Sequence, residues 1–158
     1  MAVRKPLVVI NGQLQEIPAG DSLSAASSEE DVVAKTNGNA GAITIGMPVY
    51  LKADGTVDKA SAAASGTKRV LGLVRDASIA AAANGNVQTD GVLTSADWTD
   101  VAGTATLTAG ADYYLSATAG QLSASAPSSA GHYVCYVGMA ISTDTLEIDT
   151  DRVGVLLA

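Results

Sequence analysis

The feature that most constrains this chain is a pattern that occurs twice. Ile43-Thr-Ile-Gly46-Met-Pro-Val-Tyr50-Leu51-Lys-Ala-Asp-Gly55-Thr-Val57 aligns with Leu107-Thr-Ala-Gly110-Ala-Asp-Tyr-Tyr114-Leu115-Ser-Ala-Thr-Ala-Gly120-Gln-Leu122 once a single residue is inserted. Each copy runs on through an Ala/Ser-rich stretch to a glycine, Gly66 in one and Gly131 in the other. Each then reaches a run with a central glycine, Val70-Leu71-Gly72-Leu73 and Tyr136-Val137-Gly138-Met139. The shared order is strand, Gly turn, strand, polar loop, strand. Short apolar runs broken by Gly, Asp and Ser about every eight to twelve residues belong to sandwiches or barrels. A duplicated β unit lets two halves bury one another's apolar faces. Two unrelated Gly-turn hairpins would share similar letters, so strand order has to separate duplication from coincidence. The expected fold is all-β: a compact β-barrel or sandwich over residues 41–158, with repeat units at about 41–78 and 106–149.

Residues 1–40 read instead as an extended N-terminal arm and linker. Leu7-Val8-Val9-Ile10 is a short β-branched run, and Asn11-Gly12 is a strong hairpin-turn signal. Leu14, Glu16 and Pro18 then alternate with Gln13, Gln15 and Ile17. Residues 23–40 are rich in Ser, Ala, Asn and Gly and suggest a linker or switch point. Within them Ser28-Glu29-Glu30-Asp31 offers a cap and acids for one or two helical turns. Further along, Val87-Gln88-Thr89 and Val92-Leu93-Thr94 flank Asp90-Gly91. Ser95-Ala96-Asp97-Trp98 then looks like a capped helical turn whose indole pins a loop to the core.

Composition says how well such a body can hold itself together. Hydrophobic residues are 47% of the chain, yet there is no Phe, one Trp and five Tyr. Much of the apolar count is alanine, which buries little area, and stabilisation runs at about 25 cal/mol per Å² of apolar surface. A thin core gains from any partner that binds only the folded state. Oligomerisation or docking onto a larger assembly is therefore expected. The net charge is −7, and the nine basic residues stand singly or in pairs such as Arg4-Lys5 and Lys68-Arg69. Without a concentrated positive face, nucleic acid is not an expected partner. No apolar run approaches the roughly 18 residues of a membrane-spanning helix, so no membrane partner is expected. Met1–Pro6 lacks the apolar stretch of a signal peptide, and the expectation is synthesis in a cytoplasm.

Reactive groups are sparse. A positioned proton carrier needs a histidine or paired carboxylates in a pocket, and the single histidine, His132, sits at the mouth of a strand-like run. Cys135, the lone cysteine, excludes an internal disulfide and a multi-cysteine metal site and reads as a small buried hydrophobe. His132 and Cys135 are three apart on one strand and so point to opposite faces. Glu147, Asp149 and Asp151 share one strand face. Such a face suits Ca²⁺, but it reads more readily as a solvated face that blunts edge aggregation. Asp54-Gly55 and Asp90-Gly91 lack the spacing of calcium loops. Asn37-Gly38-Asn39 and Asn84-Gly85-Asn86 lack the lysine and helix of a phosphate loop. Tyr113, Tyr114, Tyr133 and Tyr136 supply aromatics that a carbohydrate site would want, though alternation turns part of the set inward. No enzyme, catalytic residue, metal or cofactor is expected.

One resemblance adds to this reading. Val87-Gln-Thr-Asp-Gly91-Val-Leu-Thr-Ser-Ala-Asp-Trp98, Leu107-Thr-Ala-Gly110-Ala-Asp-Tyr-Tyr114-Leu115, Gly120-Gln-Leu122, Ala126-Pro127 and Val137-Gly138-Met-Ala140-Ile-Ser142 resemble a module of tailed-bacteriophage virion proteins. The module recurs in capsid decoration or head-fibre subunits and near the ends of tail fibres. Arg4-Lys5-Pro6-Leu7-Val8, Leu14 and Ile17-Pro18-Ala19-Gly20-Asp21 resemble the start of such proteins. The resemblance implies a virion structural protein with no catalytic residues to transfer. A scaffolding protein would be helical and highly charged, and a tail fibre long and repetitive. A small β-rich subunit with an arm fits a decoration, or cement, subunit on the outer capsid surface. Its expected partners are the major capsid protein and itself, as a homotrimer. Leu7, Val8, Val9, Ile10, Leu14 and Ile17 are the expected partner-binding residues of the arm. The alternative is a head-fibre or tail-fibre adhesin module that binds host surface glycans.

Overall fold

The short apolar runs become strands throughout the part of the chain that the computed structural model describes, residues 7–10, 13–16, 31–150 and 154–158. Near the N-terminus lie β1 (Leu7–Ile10) and β2 (Gln13–Glu16). A first unit of the body holds β3 (Val32–Thr36), β4 (Ile43–Thr44), β5 (Pro48–Leu51), β6 (Val57–Lys59), β7 (Val70–Val74), β8 (Ser78–Ile79) and β9 (Asn84–Gln88). A second unit holds β10 (Gly91–Thr94), helix α1 (Thr99–Ala102), β11 (Asp112–Leu115), β12 (Leu122–Ser123), β13 (Tyr133–Val134), β14 (Tyr136–Ala140), β15 (Thr145–Ile148) and β16 (Val155–Leu156). Among the described residues the fold is all-β apart from one helical turn.

Two five-stranded antiparallel sheets carry the body, in the orders β3-β9-β7-β5-β6 and β10-β15-β14-β11-β12. Replacing each strand of the first by its counterpart in the repeat produces the second. The equivalence also holds in detail. The β5–β7 pairing shifts register between Val49 and Tyr50, and the β11–β14 pairing shifts between Tyr113 and Tyr114, the same place in the repeat. Each shift leaves one extra residue, Leu71 or Val137, as a β-bulge does. Gly46 and Gly110 lead into β5 and β11 with φ of 80° and 79°. Their amides donate to the carbonyls of Val74 at 2.9 Å and Ala140 at 2.6 Å. That left-handed backbone is cheap only for glycine. A Cβ on Gly72 would overlap the carbonyl oxygen of Gln88, and one on Gly138 would overlap that of Glu147. Coincident hairpins would not share strand order, bulge and turn together, so the sequence repeat is a structural duplication.

Register sorts side chains between the faces. On the first sheet Pro48, Tyr50, Val70, Leu73 and Gln88 share one face, while Val49, Val74 and Val87 share the other. Val57 of β6 shares the second of these faces, which closes over Ile43 and Ile79 of β4 and β8 to make a core private to the first unit. The first face does something different. Val70 and Leu73 join Leu93, Leu115, Leu146 and Ile148 of the second unit in one buried cluster. The first sheet is thus covered on both sides. Neither five-stranded sheet closes on itself, so the body is a pair of open sheets packed through a common core, supplemented by the two-stranded pairs β4-β8 and β13-β16.

Several bonds hold the two units in register. The Ala62 amide donates to the Ser116 carbonyl at 2.9 Å, and the Gly120 amide to that of Ala60 at 2.8 Å. The Ser61 hydroxyl reaches the Ala117 carbonyl at 2.7 Å. Gln88, 1% exposed, donates from Nε2 to the carbonyls of Asp90 and Val92 and ties down the turn between the sheets. Trp98 has no exposed surface, and a Cβ on Gly46 of the other unit would lie 2.7 Å from its ring. Its indole N–H donates to the Asp144 carbonyl at 3.0 Å. The pinned indole foreseen in the sequence therefore pins one unit to the other.

Two local expectations move. The body begins before residue 41, because β3 pairs along its length with β9, from Val32↔Gln88 to Thr36↔Asn84. Two valines among Ser, Ala, Asn and Gly are a weak local signal; the long-range partner makes them a strand. The helical turn follows Trp98 instead of preceding it. The Asp97 carboxylate accepts from the amide and hydroxyl of Thr99 at 2.8 and 2.6 Å, turning the chain into α1. Asp31 is not helical, and Ser28–Glu30 lie outside the described residues.

Candidate interaction surfaces

The arm residues singled out in the sequence divide between two strands. Leu7, Val8, Val9 and Ile10 form β1, and Leu14 lies on β2; Ile17 is outside the described residues. The strands pair from Leu7↔Glu16 to Ile10↔Gln13, the register that a two-residue Asn-Gly connection requires. Among the described residues β1 and β2 pair only with each other. A two-stranded ribbon is marginal alone and presents two edges of backbone donors and acceptors.

A second surface emerges when the face assignment is carried through the repeat. Pro48, Tyr50, Val70, Leu73 and Gln88 correspond to Asp112, Tyr114, Tyr136, Met139 and Glu147. In the first sheet this is the covered face, with Val70 2% and Leu73 0% exposed. In the second sheet Tyr114, Tyr136 and Met139 are half-buried, while Asp112 and Glu147 are exposed. Asp149, also exposed, follows at the end of β15, its amide donating to the Val137 carbonyl. The rings of Tyr114 and Tyr136 meet edge to face, 5.9 Å apart at 73°. Burial raises the pKa of the Tyr136 phenol above its ordinary value, and the charges of Asp112, Asp149 and Glu147 raise it further. No lysine or arginine stands on this face among the described residues. The alignment of the two copies already contained this asymmetry; reading each copy alone for chemistry passed over it.

The other sequence candidates are dispersed. Cys135 is buried, between β13 and β14, with Gly154 packed against its sulfur. His132 is half-buried beside Ser116, Ser123 and Ser125–Ser129 around a cavity of about 280 Å³ whose lining includes no carboxylate to orient an imidazole. Tyr113 is buried and donates no surface; Tyr133 lies beneath the Lys68 ammonium, 4.0 Å from its ring centre. Of the three alternating acids, Glu147 is on β15, Asp149 follows it, and Asp151 is outside the described residues. No group of three His, Cys, Asp or Glu among the described residues is placed to hold a metal ion. No helix of the described residues is long and apolar enough to cross a membrane. Among the described residues the exposed large apolar side chains are Leu51, Ile141 and the β16 pair Val155 and Leu156, 63% and 56% exposed. Leu51 also lines a cavity of about 260 Å³ with Arg69, Val70 and Leu71.

No protein-family model matches the chain, and no curated protein matches it.

Proposed function

We propose that this chain is a non-enzymatic virion structural protein, a decoration or cement subunit that binds the outer capsid lattice of a tailed phage and stabilises the head. One observation carries the reading beyond the sequence resemblance. Among the described residues the N-terminal strands β1 and β2 pair only with each other, while every strand of the body finds its partner within the body. A ribbon with open edges is suited to adding a strand to a neighbouring protein's sheet. Leu7, Val8, Val9, Ile10, Leu14 and Ile17 then act as apolar anchors on the major capsid protein or a neighbouring subunit. Three copies around a local threefold axis make a closed assembly suited to a capsid lattice. Small anchors repeated over many sites sum to a large stabilisation of the shell.

The half-exposed Tyr114 and Tyr136 beside carboxylates favour a second reading, an adhesin module of a head or tail fibre that binds glycans. Incubating the purified protein with empty heads of its phage and with host cells separates the two. Removing residues 1–22 is expected to abolish head binding while the far-ultraviolet circular dichroism of the body persists. Unchanged head binding by the truncated chain rejects the arm's role.

A further inference from the structure

The duplication supplies an internal standard for what should lie on a sheet face. In the first unit the face bearing Tyr50, Val70 and Leu73 is covered by the second unit. The same face of the second unit keeps its large apolar bodies, Tyr114, Tyr136 and Met139, but has exchanged Pro48 for Asp112 and Gln88 for Glu147. A face meant only for water would have no reason to retain two half-buried tyrosines and a methionine. One meant for another apolar sheet would not carry exposed carboxylates. The chemistry that satisfies both is an extended segment with aliphatic stems and cationic ends. The molecule already uses this contact once, where Lys68 lies over the ring of Tyr133. A cation over a tyrosine face gains from the ring's quadrupole.

The chain has two adjacent basic pairs. Lys68-Arg69 is in the body, with Lys68 bound to Tyr133 and to the Gly154 carbonyl at 3.1 Å. Arg4-Lys5 precedes β1, outside the described residues. We propose that the outer face of the second sheet, with Tyr114, Tyr136 and Met139 ringed by Asp112, Glu147 and Asp149, receives the Arg4-Lys5 segment of a second copy of this chain. Charge complementarity selects this occupant: the face is uniformly acidic, and the net charge of −7 opposes body-to-body contact there. An arm of one copy on the face of the next is a head-to-tail contact, which closes into a ring when the rotation allows. The proposal deepens the cement reading by naming a neighbouring subunit as the arm's first partner, and it can hold even if the capsid is not the final one.

The test is a charge exchange in the full-length chain, read by sedimentation. The wild type is expected to associate in low salt and to loosen in about 0.5 M salt, where screening lengths are a few ångströms. The double variant Asp112→Lys with Glu147→Lys should weaken self-association by about tenfold or more, and so should Arg4→Glu with Lys5→Glu. Mixing the two variants, each with the other's complement, should restore a mixed assembly. Circular dichroism guards against unfolding, since all four positions are exposed on the face or outside the described residues. A monomer at every salt concentration overturns the proposal, as does assembly indifferent to these reversals. Loss of host-cell or glycan binding in Tyr136→Ala with self-association unchanged also overturns it and assigns the face to an external ligand. Loss of head binding alone bears on the cement reading and leaves this one standing.

Discussion

The two units of this molecule share one backbone plan and differ in what that plan hides. The first sheet is covered twice, by Ile43 and Ile79 of its own unit's β4 and β8 over Val49, Val74 and Val87 and by the second unit over Val70 and Leu73. The second sheet is covered once. The bulges, the left-handed glycines before β5 and β11 and the strand order are the same in both. Backbone hydrogen bonding therefore does not decide which faces end up inside; the side chains at a handful of equivalent positions do. Duplication has produced two scaffolds, and substitution on one face has turned the first into a core layer and the second into a surface. This agrees with the view that register fixes which residues share a face, while burial is set by what those residues are.

The comparison can be broken most severely at Trp98, which ties the units together. Trp98→Ala should cost about 3–5 kcal/mol, the range for deleting a large buried aromatic. Urea unfolding would measure it, and a cost near zero would mean that the units do not depend on one another. A finer test sets equivalent residues side by side. Leu73→Ala should cost about 2–5 kcal/mol because the site is sealed. Met139→Ala, its counterpart on the open face, should cost less than about 1 kcal/mol. Equal costs would erase the distinction between covered and uncovered sheets. The smallest effect concerns pH. Hydrogen bonds lower the pKa of Asp54 (from Thr56), Asp97 (from Thr99) and Asp144 (from Ser142 and Thr145) below the ordinary value. A carboxyl with a depressed folded-state pKa adds stability that is present above its unfolded value and is lost as pH falls through the folded one. Melting temperature should therefore decline slightly below about pH 4. Two of these three turns are in the second unit, so amide exchange in acid should rise there first. Uniform exchange across both units would contradict this.

Much of the fold was legible because it is local or repeated. Asn11-Gly12 announced the β1–β2 register, and the recurring Gly46/Gly110 and Gly72/Gly138 announced the duplicated sheets. Strand β3 was not legible, because Val32 and Val33 are a strand only in the presence of β9. The helical turn was placed a few residues early, since Ser95 looked like the cap, whereas the helix starts after Trp98 and Asp97 turns the chain into it through Thr99. The surface of Tyr114, Tyr136 and Met139 needed both kinds of information. The repeat supplies the correspondence, but only packing reveals that Val70 and Leu73 are buried while their counterparts Tyr136 and Met139 are half-exposed.

The placement of Trp98 has a practical consequence. The chain has one indole, and it is sealed where the two units meet, against Gly46. Its emission should be that of an apolar environment, and any separation of the units would let water reach it and shift the spectrum to the red. The protein thus has a built-in, label-free optical gauge of whether its halves stay together, one that works inside a much larger assembly wherever other indoles are absent.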